Sequence, residues 1–221
     1  MIITLDGPSA SGKSTIARLL ARRIGASFLD TGAMYRAVTL AAMQTGVDIE
    51  DEQAILKVLA EKDFDFADIG GRMVVRIDGS DVTKAIRRPE VTANARYIAS
   101  CPEVRKRLVQ MQRRYASEEK NIVTEGRDQG TIVFPDADVK FYLTASIEER
   151  ARRRQEELST SGKEVSLKEI REAIRSRDES DQSRSVGPLK AADDAIVVDT
   201  TNISIEQVVD KLFGFLDITN R

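Results

Sequence analysis

Residues Gly7 to Ser14 read Gly-Pro-Ser-Ala-Ser-Gly-Lys-Ser, directly behind the apolar run Ile2-Ile3-Thr4-Leu5 and one aspartate. Small flexible residues, two glycines and a lysine pack nothing. Their use behind a first strand is to bend the backbone so that its N–H groups point at an anion. The segment matches Gly-x-x-x-x-Gly-Lys-Ser/Thr at every fixed position. In that pattern the loop from Gly7 through Pro8, Ser9, Ala10, Ser11, Gly12, Lys13, Ser14 and Thr15 wraps a nucleotide's phosphates. Lys13 reaches the β- and γ-phosphates, the Ser14 hydroxyl ligates Mg²⁺, and the following helix adds its positive end.

The rest of the chain is read around this anchor. A helix is predicted over Lys13–Ile24, then a short strand in Ser-Phe-Leu-Asp-Thr-Gly and a helix over residues 33–44. Residues 47–88 begin acidic and then alternate. Phe64, Phe66, Met73, Val75 and Ile77, with turn signals at Gly70-Gly71 and Asp78-Gly79, predict a β-ribbon. Helices follow at about Val91–Ser100 and Glu103–Glu119, then strands in Asn-Ile-Val-Thr-Glu-Gly and Val-Lys-Phe-Tyr-Leu-Thr. Ser146-x-x-Glu149 and Ser166-x-x-Glu169 each read as a capping box opening a helix. A last strand and helix end the chain. Strands alternating with helices predict an α/β fold, a parallel sheet flanked by helices. The predicted organisation is one domain over residues 1–221. Its core is at about 1–46, 89–146 and 185–221, with an inserted β-containing subdomain at about 47–88 and a helical lid at about 147–184.

Composition narrows the function classes. A formal charge of −2 argues against a dedicated binder of nucleic acid or of an anionic membrane. No apolar run approaches the ~20 residues of a membrane span. One cysteine, Cys101, rules out an internal disulfide and points to a reducing cytoplasm. The chain has no histidine, which removes imidazole acid–base chemistry. A GTPase would need a base-reading Asn/Thr-Lys-x-Asp, and Thr83-Lys84-Ala85-Ile86 lacks the aspartate. A motor ATPase would show a strand ending in Asp, where this chain has Glu125. A small-molecule kinase needs a second anion site built from arginines on other elements. Arg36, Arg105, Arg127, Arg177 and Arg184 are the candidates, Arg127 above all, because it follows a buried strand where open α/β sheets bind ligands. On the helix Glu-Glu-Arg-Ala-Arg-Arg-Arg, Arg150, Arg153 or Arg154 is a candidate for closing over phosphates.

Over nearly its whole length the chain resembles the bacterial cytidylate kinases, a family of nucleoside monophosphate kinases. The likeness is carried by Asp6–Thr15, by Leu-Asp-Thr-Gly-Ala-Met-Tyr-Arg at 29–36, by Glu-Gly-Arg-Asp-Gln-Gly-Thr-Ile-Val-Phe-Pro-Asp-Ala at 125–137, and by Arg-Asp-Glu-Ser-Asp-Gln-Ser-Arg at 177–184. The resemblance implies transfer of a phosphoryl group from ATP to CMP or dCMP, with Mg²⁺, by a cytoplasmic monomer. It implies that Thr31 lies near the monophosphate or base pocket, and that Arg36, Arg127 and Arg184 hold the CMP phosphate. Arg105 and Asp128 match positions that read cytosine, and Arg177 and Asp181 match positions at the sugar. Lys13, Arg127, Arg153, Arg154 and Arg184 are the implied catalytic set. Arg96 stands where the family carries a small residue, and it is expected to face solvent. A related kinase acting on UMP or another acceptor, and a nucleotide-binding regulator without turnover, stay open as alternatives.

Overall fold

The computed structural model describes residues 1–219 apart from Ser161 and Lys163, and not the side chains of 217–219. Its centre is a five-stranded parallel sheet in the order β2–β6–β1–β7–β8. The strands are β1 (Ile2–Asp6), β2 (Ser27–Asp30), β6 (Ile122–Gly126), β7 (Val139–Thr144) and β8 (Ile196–Asp199). Parallel strands are joined by crossovers, so successive strand ends with the same polarity collect on one edge. That edge carries the glycine loop after β1, Thr31 after β2, Arg127 after β6 and Thr200 after β8.

Side chains alternate across the sheet and feed two cores. Ile3, Leu5, Val123, Phe141 and Val198 pack with Ile16 and Leu20 of α1 (Lys13–Ile24) and Leu212 of α8 (Ile205–Thr219). On the other face Leu29 and Ile122 pack with Met34 and Val38 of α2 (Thr31–Thr45), with α4 (Pro89–Ser100) through Ile98, and with α5 (Pro102–Ser117) through Leu108. Cys101, at the α4–α5 junction, is buried and unpaired.

Between α2 and α4 the chain forms α3 (Glu52–Glu61) and an antiparallel sheet of β3 (Phe64–Asp68), β4 (Met73–Ile77) and β5 (Ser80–Asp81). The alternating residues form the ribbon as expected. Ile55, Met73, Val75, Ile77 and Ile86 enter the same apolar cluster as α2 and α4, so this segment shares its core with the main body. Asp68 also accepts a 2.8 Å hydrogen bond from the Phe28 amide on the edge strand β2.

Three local expectations differ from the structure. The acidic start of the insert holds α3, capped by the Asp51 carboxylate on the amides of Gln53 and Ala54. Thr31 and Gly32 lie inside α2 and not in a turn, because Asp30 caps the helix through the Ala33 amide at 2.8 Å. The capping box at Ser166 is complete, whereas the one at Ser146 is half made. Glu149 there turns instead to Arg152 and Arg153.

Helices α6 (Ile147–Thr160) and α7 (Leu167–Gln182) form a hairpin with its own small core of Ala151, Ile170 and Ile174. Ala10 of the glycine loop packs against that core.

Candidate active site

The glycine loop is shaped by what surrounds it. Gly7 sits at φ 150°, and a Cβ there would lie 2.1 Å from the Leu143 carbonyl oxygen of β7, so only glycine fits. Lys13 is buried, and its ammonium donates to the Pro8 carbonyl at 2.6 Å. Burial, and then the nearby Arg127 charge, pull the Lys13 pKa down to about 7. The loop thus holds a buried lysine beside Arg127, its ammonium bonded back to the loop at Pro8 and Ser11.

Ser14 Oγ donates to Glu125 Oε1 at 2.7 Å. Burial pushes the Glu125 carboxyl up, and the neighbouring Asp30 adds to it. A hydroxyl and a carboxylate side by side at the phosphate loop fit magnesium, which takes one or two carboxylates along with substrate phosphates. Asp6, the last residue of β1 and immediately before the glycine loop, is also at this edge. It accepts the amides of Gln129 and Gly130 at 2.9 and 2.7 Å, and burial raises its pKa to about 7. That carboxylate holds the π-helical turn Gln129–Val133 against β1.

Facing the loop is a cluster of guanidinium groups. Asp181 of α7 accepts from Arg127 Nε and from Arg184 Nη2, each at 2.7 Å, and Arg177 Nε lies 3.3 Å away. Burial would raise the Asp181 pKa, but the three guanidinium charges outweigh it and hold it below the ordinary carboxylate value. Asp30 takes Arg36 and Arg87, both at 3.2 Å. Arg36, Arg127, Arg177 and Arg184 therefore share two carboxylates. The Nε atoms of Arg36, Arg177 and Arg184 are buried and have no hydrogen-bond acceptor among the described residues. Unsatisfied buried donors on fixed cations are costly, and an anion relieves them. Thr31 stands beside this cluster, buried, with its hydroxyl donating to the Glu125 carbonyl at 2.7 Å.

Arg105 and Asp128 form a buried ion pair with side-chain exposures of 3% and 6%. Arg105 also donates to the Ala99 carbonyl at 3.2 Å and lies over the Tyr35 ring. Gly187, at φ 61°, closes over the pair: a Cβ there would fall 2.0 Å from Arg105 Nη2 and 2.2 Å from Asp128 Oδ2. Beside it a polar cleft of about 210 Å³ is lined by Ser100, Ser180, Ser183 and Arg184.

The arginines of α6 divide. Arg153 reaches the Thr200 hydroxyl at 3.0 Å, and a Cβ on Gly12 would lie 3.8 Å from its Nη1. It lies beside the phosphate loop, with its Nε also paired to Glu149 at 2.8 Å. Arg154 pairs with Glu157 at 2.7 Å on the outer face and is not brought to the loop. Arg150 is buried and bound to Asp178 and to the Ser9 carbonyl. Arg96 is exposed and stacks on Tyr97, as expected. Asp6, Asp178, Arg87 and Gly187 were not singled out from the sequence. Asp178 had one signal: it shares a face of α7 with Asp181, one turn away.

Comparison with known proteins agrees with this geometry. The family model described as cytidylate kinase matches residues 3–217. The cytidylate kinase of Stutzerimonas stutzeri is 50% identical over 216 residues, covering 96% of this chain and 93% of that protein. That of Carboxydothermus hydrogenoformans is 44% identical over 220 residues, covering 100% and 99%. Among solved structures, shikimate kinase from Acinetobacter baumannii superposes with a TM-score of 0.50 at 16% identity, covering 100% of this chain and 94% of that one. This last likeness shows the fold, that of an α/β phosphate-loop kinase. The match along almost the full sequence, onto a phosphate loop faced by an arginine cluster, shows that the chain belongs to the cytidylate kinase family.

Proposed function

We propose that this enzyme transfers the γ-phosphoryl group of ATP to CMP or dCMP, giving ADP and CDP or dCDP. The observation that carries the reading is the guanidinium cluster opposite Lys13, with three buried Nε–H groups lacking acceptors. A cationic cluster of this kind can take a second anion, as a kinase with a phosphorylated acceptor requires.

In the reaction an oxygen of the acceptor phosphate bonds to the γ-phosphorus as the bond to the bridging β–γ oxygen breaks, and ADP leaves. The acceptor oxygen is already anionic, so no general base is needed, in keeping with a chain that has no histidine. The loose transition state spreads charge over the equatorial oxygens. Lys13, Arg127 and Arg184 are the cations that meet it, with Arg153 approaching from α6. Arg154 enters this set only if α6 moves, since its guanidinium is engaged with Glu157. Arg36, Arg177 and Asp181 hold and orient the acceptor together with Thr31, and the Arg105–Asp128 pair reads the base. Ser14 and Glu125 would hold Mg²⁺ together with the ATP phosphates, and the ion would supply neutralisation of phosphate charge. The α6–α7 hairpin acts as a lid that keeps water from the phosphoryl group. Residues 47–88 form the wall on the monophosphate side. Action as a monomer in the cytoplasm completes the reading, in keeping with a single buried thiol.

A coupled assay of ADP release tests it, run against CMP, dCMP, UMP, AMP and shikimate. CMP and dCMP are expected to give the highest kcat/KM. Turnover of another acceptor in preference to both, or of none, overturns the reading.

A further inference from the structure

One residue of the phosphate loop, Ser9, is gripped through its backbone by both lid helices. The Ser9 amide donates to Asp178 Oδ1 of α7 at 2.9 Å. The Ser9 carbonyl accepts from Arg150 Nη1 of α6 at 3.0 Å. Arg150 and Asp178 are ion-paired with each other, and Arg150 Nε is anchored on the Ala145 carbonyl at 3.1 Å, just past the end of β7. The ring is closed, since both the N–H and the C=O of Ser9 have a lid partner. The Arg150 and Asp178 side chains are 9% and 11% exposed. The next residue, Ala10, holds φ 59°, which an L-residue adopts only under restraint. It is partly buried and packs against the lid's own core residues, Ala151, Ile170 and Ile174.

A pair that served only to join α6 to α7 would have no need of the loop. This pair satisfies both backbone groups of a loop residue four positions before the helix start at Lys13, and so restrains the loop at its tip. Asp178 also stands one turn from Asp181, which gathers the acceptor-side arginines. A single helix, α7, thus touches the donor loop with one carboxylate and the acceptor cluster with the next.

We propose that Asp178 and Arg150 are positioning residues that lock the tip of the phosphate loop to the docked lid, so that the loop is held ready for ATP only while α6–α7 is closed over it. The proposal rests on the reading of the enzyme as an ATP-dependent kinase, and its test has an arm that needs no acceptor.

Removing one partner alone would strand a buried charge, whereas replacing both by apolar groups is far milder for stability. The test is the double variant Asp178→Ala/Arg150→Met. Its melting temperature, its KM values for ATP and CMP, and its Kd for a non-hydrolysable ATP analogue with Mg²⁺ are measured by the same protocol as for the unsubstituted protein. The expected result is a melting temperature within a few degrees of the parent, with ATP KM and analogue Kd raised roughly tenfold or more and CMP KM within about twofold. If the double variant does not fold, Asp178→Asn replaces it. Asparagine keeps an acceptor for the Ser9 amide but loses the charge that holds Arg150, and a smaller loss in the same direction is expected. Unchanged analogue affinity in a folded variant overturns the proposal and leaves a structural ion pair. Tighter analogue binding also overturns it, since Asp178 would then be an obstacle to phosphate. Failure of the parent to phosphorylate CMP would sink the assigned reaction while leaving the analogue-binding arm intact.

Discussion

Asp181 Oδ2 accepts a 2.7 Å hydrogen bond from Arg127 Nε, joining α7 to the end of strand β6 of the parallel sheet across 54 residues of sequence. The same carboxylate holds Arg184 and neighbours Arg177. It is the counter-charge that lets three guanidinium groups be gathered in one place without an anion bound.

Asp181→Ala is therefore expected to leave these cations facing one another. Breaking a buried ion pair from one side costs about 3–5 kcal/mol, so the melting temperature should fall by several degrees. Added phosphate should restore part of it by supplying the missing charge. CMP kcat/KM should fall by roughly tenfold or more for the lost charged hydrogen bonds. Thermal melts with and without phosphate, alongside steady-state kinetics, check both. A variant that melts like the parent would show that the arginines do not depend on Asp181.

Lys13 gives a pH signature. Its pKa is about 7 in the folded protein and 10.5 in its ordinary state, with burial as the main cause. Between these values the unfolded chain binds more protons at this position, so this group's contribution to stability rises with pH across that window. A bound polyphosphate favours the charged form. ATP binding at pH 8 should then take up protons, detected as a calorimetric enthalpy that depends on the buffer's ionisation heat. Lys13→Met should lose much of that uptake, melt within a few degrees of the parent, and lower kcat by orders of magnitude. Full proton uptake or near-normal turnover in the variant would contradict the assigned role.

Asp128 carries a prediction about base choice. Cytosine presents an exocyclic amine where uracil presents a carbonyl, and a carboxylate accepts from the first and repels the second. Losing one charged hydrogen bond costs about 1.5–3 kcal/mol, or roughly ten- to 150-fold. Asp128→Ala should reduce kcat/KM for CMP much more than for UMP, while Arg105→Ala should weaken both. Because Asp128 is buried against Arg105, Asp128→Asn serves as the better-folded comparison. Equal proportional losses for CMP and UMP would mean that Asp128 only braces Arg105.

Arg153 and Arg154 are neighbours in sequence with different surroundings. Arg153 lies against Thr200 and the phosphate loop, whereas Arg154 reaches out to Glu157. Arg153→Ala should lower kcat by roughly tenfold or more with CMP KM little changed, as for a lost charged contact to the transferred group. Arg154→Ala should fall within about twofold of the parent, since exposed helix pairs contribute little. A large loss of kcat in Arg154→Ala would mean that α6 rotates on closing.

What was legible in the chain was what local pattern encodes. The glycine loop is a contiguous motif whose fixed residues answer to backbone geometry and phosphate chemistry, so Gly7 to Thr15 could be read directly. The strands of the parallel sheet and the arginines behind them followed from periodicity and from their place at strand ends. Even α3 had its signal, an aspartate cap before Ala54, Ile55, Val58 and Leu59, which the acidic surroundings obscured. Partnerships across the fold had no such signal. Whether an arginine on α6 meets phosphate, loop or solvent depends on a rotation of about 100° per residue and on what packs opposite, and so Arg150, Arg153 and Arg154 part ways. The turn at Gln129–Val133 exists because Asp6, 123 residues earlier, accepts its amides. The Ser9 clamp likewise joins positions 9, 150 and 178. Residue type and spacing determine which groups a chain offers. Which of them are desolvated together, and therefore interact strongly, is decided only when the sheet edge, the insert and the α6–α7 hairpin close on one another.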